Sequence, residues 1–416
     1  MIRLSRPVGR GLVPRRSSLR SVAGREGTSP SPTGRTAAFM RSGARGASER
    51  TPVSVEQSKV KRSGLGLRAY EPALAWEGFT LFAPGTAGNT VYLIDMQGTV
   101  VHTWEMPYRP GLYGYLTDRG TLLYGGSIPN ETFIGQSPFH GGAVMEADWN
   151  GTILWEVLQP DHHHDARRLQ NGNVLILCSR ALPDDVAARV KGGRPGSEHE
   201  GKMHGDYLVE VTTAGDLVWE WRSWDHLDPE VEQIICPSDA REEWTHANSM
   251  FELPDGNLLL SFRNTSSIVI IERASGSVTW RLGPPPLSGQ HAPNLLANGN
   301  ILLFDNGPYR LDSSRPFSRV LEIDPATKEV VWSYQDRPRH AFFSDRISNA
   351  QRLPNGNTLI DEGVFGRIFE VTPSGEVVWE YVNPHFGPTA LGDTNQVFRA
   401  YRYSAEEIER ARGTGW

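Results

Sequence analysis

Four short segments of this chain are near copies of one another: LQNGNVLIL (169–177), LPDGNLLLS (253–261), LANGNILLF (296–304) and LPNGNTLID (353–361). LTDRGTLLY (116–124) is a weaker fifth copy. Asn-Gly and Asp-Gly between apolar runs favour a two-residue hairpin turn with both central residues at positive φ. After each copy the chain runs through a second strand pair that ends in tryptophan. Six such endings occur, at Trp104, Trp155, Trp219, Trp280, Trp332 and Trp379, spaced 47–64 residues apart. Each unit therefore holds four strands, termed a to d, as in HANSMFEL, GNLLLSF, SIVIIER and SVTWRL. Four-stranded repeats of that length predict the blades of a β-propeller. A β-sandwich with fortuitous turns would not keep six tryptophans in register.

The first unit has candidates for strands b (GFTLFAP, 78–84), c (VYLIDM, 91–96) and d (TVVHTW, 99–104) but none for strand a. The unpaired segment NQVFRAYRY (395–403) supplies one. The expected fold is thus all-β: a six-bladed propeller over residues 67–404, closed by the C-terminal strand pairing into the first blade. A basic extension (1–66) precedes it. The tail, 405–416, reads as a short helix or a frayed end.

The 416 residues include no stretch of the ~18–20 apolar residues that a membrane-spanning helix needs. Two cysteines, Cys178 and Cys236, exclude a disulfide framework and a multi-cysteine zinc site. Residues 1–50 carry eleven Arg and two acids against a whole-chain charge of −6, so the body is acidic. An acidic body argues against a nucleic-acid partner. The extension is rich in Arg, Ser, Gly and Pro and has no apolar h-region. That is the composition of an organellar transit peptide, of a disordered extension, or of sequence upstream of the true start codon.

In a propeller, strand a lines the axis, and the a–b and c–d turns share one face. Those turns are tight here, whereas the d–a and b–c connections are long, so function is expected on the elaborated face. Eleven of the twelve histidines fall there; His102 lies in a strand d. The informative ones begin strand a: His162, His163 and His164 in the third unit, His246 in the fourth, and His291 in the fifth. The sixth unit has Ser348 and Asn349 at this register. A single such histidine is usually structural. Three adjacent blades aiming imidazoles into one mouth point to a site.

Three chemistries fit. Imidazole can act as base and as nucleophile near neutral pH, with Asn248 and Arg263 offering donors to an oxyanion or a sulfuryl group. Alternatively, one of His162–His164 with His246, His291 and His340 or His204 could hold iron or zinc. A binding module without chemistry is the third reading. No phosphate-binding or dinucleotide-binding glycine motif occurs.

Several ordered motifs carry a resemblance: HHD (163–165), WTHANS (244–249), Arg263 in SFRN, QHA…NGNILLFDNG (290–307) and QRLPNGNTLI (351–360). Together they resemble the bacterial arylsulfate sulfotransferase family over roughly residues 77–403. The resemblance implies a six-bladed propeller that moves a sulfuryl group from an aryl sulfate to a phenol, with no nucleotide donor or other cofactor. It implies a transiently sulfated nucleophile at His291 and a His-x-Asn motif at His246 and Asn248. It implies the family arginine at Arg263 and a further histidine within His162–His164. With those come small-molecule partners and two-step, ping-pong kinetics. Members are usually exported, which adds a periplasmic or secreted location to the alternatives. A long insertion, residues 181–206, is expected over the mouth beside His199 and His204.

Overall fold

The computed structural model describes residues 64–390 and 392–413; the basic extension and the targeting readings placed on it lie almost wholly outside them. Six antiparallel four-stranded sheets form the blades of a propeller. Blade 3 runs a His162–Arg168, b Val174–Ala181, c His204–Val211, d Leu217–Arg222. In blades 4, 5 and 6 strand a is Ala247–Glu252, His291–Leu295 and Asn349–Arg352. The last strand, Val397–Tyr403, pairs with Phe79–Pro84 and so becomes strand a of blade 1. The last strand and an early one thus share one sheet, and the ring has no open inner edge. Sequence did not foresee the fifth strand of blade 6: Gly66–Tyr70 lies antiparallel on strand d, Val377–Val382. The helix Ala405–Gly413 buries Ile408 and Ala411 against Leu116 and Leu122.

The Asn-Gly turns differ from expectation. In the first copy Leu169 N donates to Asn173 O and Gly172 N to Leu169 O. Only the glycine is left-handed (φ 87°), and Asn171 is not. The loop is therefore three residues long, a type I turn closed by a left-handed glycine, rather than a two-residue primed turn. The flanking asparagines serve another purpose. Asn171 and Asn173 both donate to Glu210, and Asn298 and Asn300 both donate to Glu322. A buried glutamate of strand c thereby pins each turn to its own blade.

The tryptophans explain their own periodicity. The Trp104 indole donates to Asp148 O, Trp280 to Pro325 O, Trp332 to Pro373 O and Trp379 to Met96 O. Each acceptor lies in the c–d turn of the next blade, so the repeat latches neighbours together around the ring. In blade 3 the latch is Trp221, bonded to Gly276 O, and not the in-register Trp219. Trp379 is fully buried and latches the last blade to the first. Trp379→Ala should cost about 3–5 kcal/mol in urea unfolding, from lost packing plus an orphaned carbonyl. Trp332→Ala, at a more exposed latch, should cost less.

Candidate active site

Every inner strand that opens on the elaborated face with a histidine or beside one is irregular at its start. In blade 3, His162 pairs with Cys178 and Ala166 with Ile176, so three residues (163–165) oppose Leu177 alone. Similar bulges occur in blades 2, 4 and 5. Residues at or beside these starts take left-handed backbone: Leu112 (φ 111°), His164 (53°), His246 (48°), Ala292 (52°), Ile347 (54°) and Ser348 (87°). Such conformations cost of order 1–3 kcal/mol each in non-glycine residues, and they cluster where side chains must be re-aimed. Here they turn imidazoles from separate blades toward one cavity.

That cavity has a volume of about 350 Å³. His164 of blade 3, His246 of blade 4 and His291 of blade 5 line it, with Arg263, Arg346 and the backbone around Ile347. Two phenyl rings complete the walls. Phe139, from the b–c loop of blade 2, lies 4.8 Å from both the His164 and the His246 rings. Phe398, on the closing strand, lies 5.9 Å from His164 and 6.3 Å from His291. The His164 and His246 rings are themselves 4.8 Å apart, edge to face. The size and the aromatic lining suit one small aryl molecule.

The three rings are held differently. His291 is 1 % exposed, and its Nδ1 lies 2.7 Å from Asn306 Oδ1. The Asn306 amide nitrogen donates to Ser344 O and Ile347 O, which fixes its oxygen toward the ring. His291 therefore carries its proton on Nδ1, and Nε2 keeps a lone pair. The Ile347 amide approaches Nε2 at 3.2 Å. Burial holds this imidazole well below the usual histidine range, so it is neutral at ordinary pH. Burial does the same to His164, helped by His246, His163, His291 and Arg399. His246 Nδ1 lies 2.5 Å from Glu243 Oε2.

Arg263 is oriented by its neighbours. It donates to Asn264 Oδ1 at 2.9 Å and to the Tyr309 hydroxyl at 3.1 Å, with Asp239 at 3.5 Å. Beneath Phe398, Arg399 is fully buried on Asp165, which also meets Arg167. Two guanidiniums on one carboxylate leave a net positive charge under the floor. The wall that carries Arg263 is also acidic, with Asp239, Glu242 and Glu243. Burial, then the charge of Glu243, raises the Glu242 carboxyl above its usual range.

The sequence profile of the arylsulfotransferase (ASST) family matches residues 131–384, well over half of the chain. This chain belongs to the arylsulfotransferase family. Membership points to transfer of sulfuryl groups between small aryl sulfates and phenols as its activity. No curated protein matches the chain. Solved structures similar to this arylsulfotransferase-family chain include a protein of unknown function from Bacteroides caccae. It is 14 % identical, with a TM-score of 0.49, covering 79 % of this chain and 99 % of its own. A streptogramin B lyase is 12 % identical, with a TM-score of 0.43, covering 82 % and 93 %. Virginiamycin B lyase from Staphylococcus aureus is 11 % identical, with a TM-score of 0.42, covering 77 % and 88 %.

Of the residues singled out in the family motifs, His164, His246, His291 and Arg263 meet at the cavity. His163 stands behind His164, with its Nδ1 2.8 Å from His164 Nδ1. His162 turns away and packs against Gly125 and Gly141. Asn248 does not line the cavity; it donates to Gln290 O at 2.8 Å and so ties blade 4 to the approach of His291. Ser348 and Asn349 do not line it either. Ser348 Oγ accepts from Gly363 N, and Asn349 bonds both ways with the Ala400 backbone, joining blade 6 to the closing strand. The four-histidine metal arrangement does not assemble. His162 and His163 turn aside, His340 is exposed in a short turn, and among the described residues no group of three or more His, Cys, Asp or Glu could hold a metal.

The 181–206 insertion also differs from expectation, because none of it lines the cavity. It braces the acidic wall from outside: Arg241 donates to Gly192 O at 2.7 Å and to Glu198 at 2.8 Å, while His199 and His204 pack on Phe133. Sequence missed Asn306, Glu243, Phe139, Phe398 and Arg399. Asn306 lies inside the motif NGNILLFDNG, fifteen residues after His291, and was the most discoverable of them.

Proposed function

We infer that this arylsulfotransferase-family chain moves the sulfuryl group of an aryl sulfate to a phenol through a covalent intermediate on His291. The observation that carries this is the Asn306–His291 contact: it holds the ring proton on Nδ1 and leaves the lone pair on Nε2, while burial keeps the ring neutral, the form a nitrogen nucleophile needs. In the first half-reaction the Nε2 lone pair forms the N–S bond, and the S–O bond to the aryl oxygen breaks. The aryl oxygen leaves as the phenolate beside His164 and His246 and is protonated by water. The second half-reaction runs in reverse with a new phenol, whose proton passes to the imidazole pair as its oxygen bonds sulfur. His291 never gives up its Nδ1 proton, and Asn306 holds it there throughout.

Sulfuryl transfer needs positioning and charge stabilisation more than covalent help. Arg263 supplies positive charge at the cavity wall, and the buried guanidinium of Arg399 adds its field from behind Phe398. The Ile347 amide rests on Nε2 in the free protein; once that lone pair joins sulfur, the N–H is released to a sulfuryl oxygen. Phe139 and Phe398 hold the aryl ring. Asn248 acts at one remove, through the Gln290 carbonyl, as a positioning residue.

The direct test is p-nitrophenyl sulfate with and without phenol, following nitrophenolate; the reading fails if phenol does not accelerate release. Arg263→Ala should lower kcat/KM for the donor by about 10²–10³-fold. Arg263→Lys should recover little, because Tyr309 and Asp239 orient a fork and not a point charge.

A further inference from the structure

Behind His164, away from the cavity, stands a row of buried polar groups. His163 joins His164 on one side, Nδ1 to Nδ1 at 2.8 Å. On its other side His163 Nε2 lies 3.2 Å from Asp206 Oδ1. His163 and Asp206 are almost fully buried. Asp206 Oδ2 is already engaged, accepting the Thr245 hydroxyl and, at 2.8 Å, the Ala247 amide. Its Oδ1 therefore serves the imidazole.

Protons in this row can be counted. Beside a carboxylate, His163 Nε2 keeps its hydrogen. A neutral His163 then has a lone pair on Nδ1, and the 2.8 Å contact requires a hydrogen on His164 Nδ1. His164 is left with a lone pair on Nε2, at the cavity.

We propose that Asp206, acting through His163, sets the tautomer of His164 and makes His164 Nε2 the proton acceptor for the incoming phenol. Asp206 and His163 touch no substrate; they are positioning residues, and their role rests on the sulfuryl-transfer reading. In the acceptor step the phenol O–H proton passes to His164 Nε2 as the phenol oxygen bonds sulfur. The N–S bond breaks, and its electron pair returns to His291 Nε2. The resulting His164 cation is compensated through His163 by the Asp206 carboxylate. Nε2 then gives the proton to water and regains its lone pair; in the donor step, with no hydrogen on Nε2, the aryl oxygen leaves as phenolate. Burial alone would raise Asp206; the His163 contact and the two hydrogen bonds outweigh it and hold the carboxyl below its usual range.

Asp206→Asn tests this with an orientation that the fold imposes. The Thr245 hydroxyl and Ala247 amide require an oxygen at the Oδ2 position, so the new NH₂ must face His163. It donates to Nε2, which moves the His163 hydrogen to Nδ1 and the His164 hydrogen to Nε2, and the base is lost. Turnover with weakly acidic phenols should fall on the order of 10²–10⁴-fold. The one-equivalent nitrophenolate burst from p-nitrophenyl sulfate, whose leaving group needs no acid, should persist. The deficit should shrink as the acceptor phenol becomes more acidic. An equal loss for all phenols, or no loss, would overturn the proposal. ¹⁵N NMR of the unmutated resting protein is the second measurement and needs no variant to fold. A hydrogen on His164 Nδ1 and on His163 Nε2 supports the relay, and the opposite pair overturns it. Absence of any burst from the unmutated protein would instead refute the sulfohistidine reading, and the NMR result separates the two failures.

Discussion

His291→Asn should abolish transfer between two phenols, lowering turnover by at least about 10⁴-fold. Asparagine keeps a polar group near Asn306 and Ile347, so the Ser344–Ile347 backbone should stay in place. What disappears is the nitrogen that bonds sulfur. His246→Asn should behave differently. It removes one of two rings facing the leaving oxygen, so a loss of about 10²–10³-fold is expected, with burst formation slowed and not abolished. A deficit in His246→Asn equal to that in His291→Asn, with the burst gone in both, would move the nucleophile to His246.

The second large effect concerns stability against pH. His162 is pushed down to about 3 by burial and then by His163, with Asp165 opposing. His164 and His291 are also held well below 6.5, burial leading in both. In the unfolded chain all three titrate near 6.5. Between their folded values and 6.5 the unfolded state binds more protons, so stability rises with pH in that window and is lost as pH falls below 6.5. Asp361 and Glu242, raised by burial and by an adjacent carboxylate, act in the opposite sense above the ordinary carboxyl range. One to two net protons remain, so unfolding free energy should drop by about 1.4–2.7 kcal/mol per pH unit just below about pH 6. Urea titrations at about pH 7.5, 6.0 and 5.5 span that window and measure it. His162→Leu should flatten the slope by about one proton, ~1.4 kcal/mol per pH unit, because His162 faces no substrate. A flat profile would mean that these rings are hydrated.

The ring architecture was legible because it repeats. Four of the six tryptophans share one physical job, an indole latched to the next blade's turn, while Trp155 bonds Glu146 in its own blade and Trp221 takes the part of Trp219; even the unpaired C-terminal strand could be assigned from the strand missing in the first unit. The strand Gly66–Tyr70 was not legible, because one extra strand on one blade has no repeat to announce it. At the site, sequence placed His246, His291 and Arg263 by register and motif. It could not choose among His162, His163 and His164, because strand alternation holds only where the ladder is regular. The bulge at 163–165 breaks that alternation, sends His164 to the cavity and leaves His163 bridging to Asp206. Asn248, Ser348 and Asn349 sit at the right register, but their amides and hydroxyl are consumed by backbone groups, most of them in a neighbouring blade. Such inter-blade bonds depend on which chain lies alongside, which spacing along one strand does not encode.

The chemistry turns on one nitrogen. Protein incubated with p-nitrophenyl sulfate and no acceptor, then digested and mass-measured without acid exposure, reads it directly. One nitrophenolate should be released per chain, and one sulfuryl group should appear on the peptide containing His291, removed by adding phenol. Unmodified His291 with a sulfuryl group on another residue, or turnover to phenol with no modified peptide at any time, would contradict a sulfated His291.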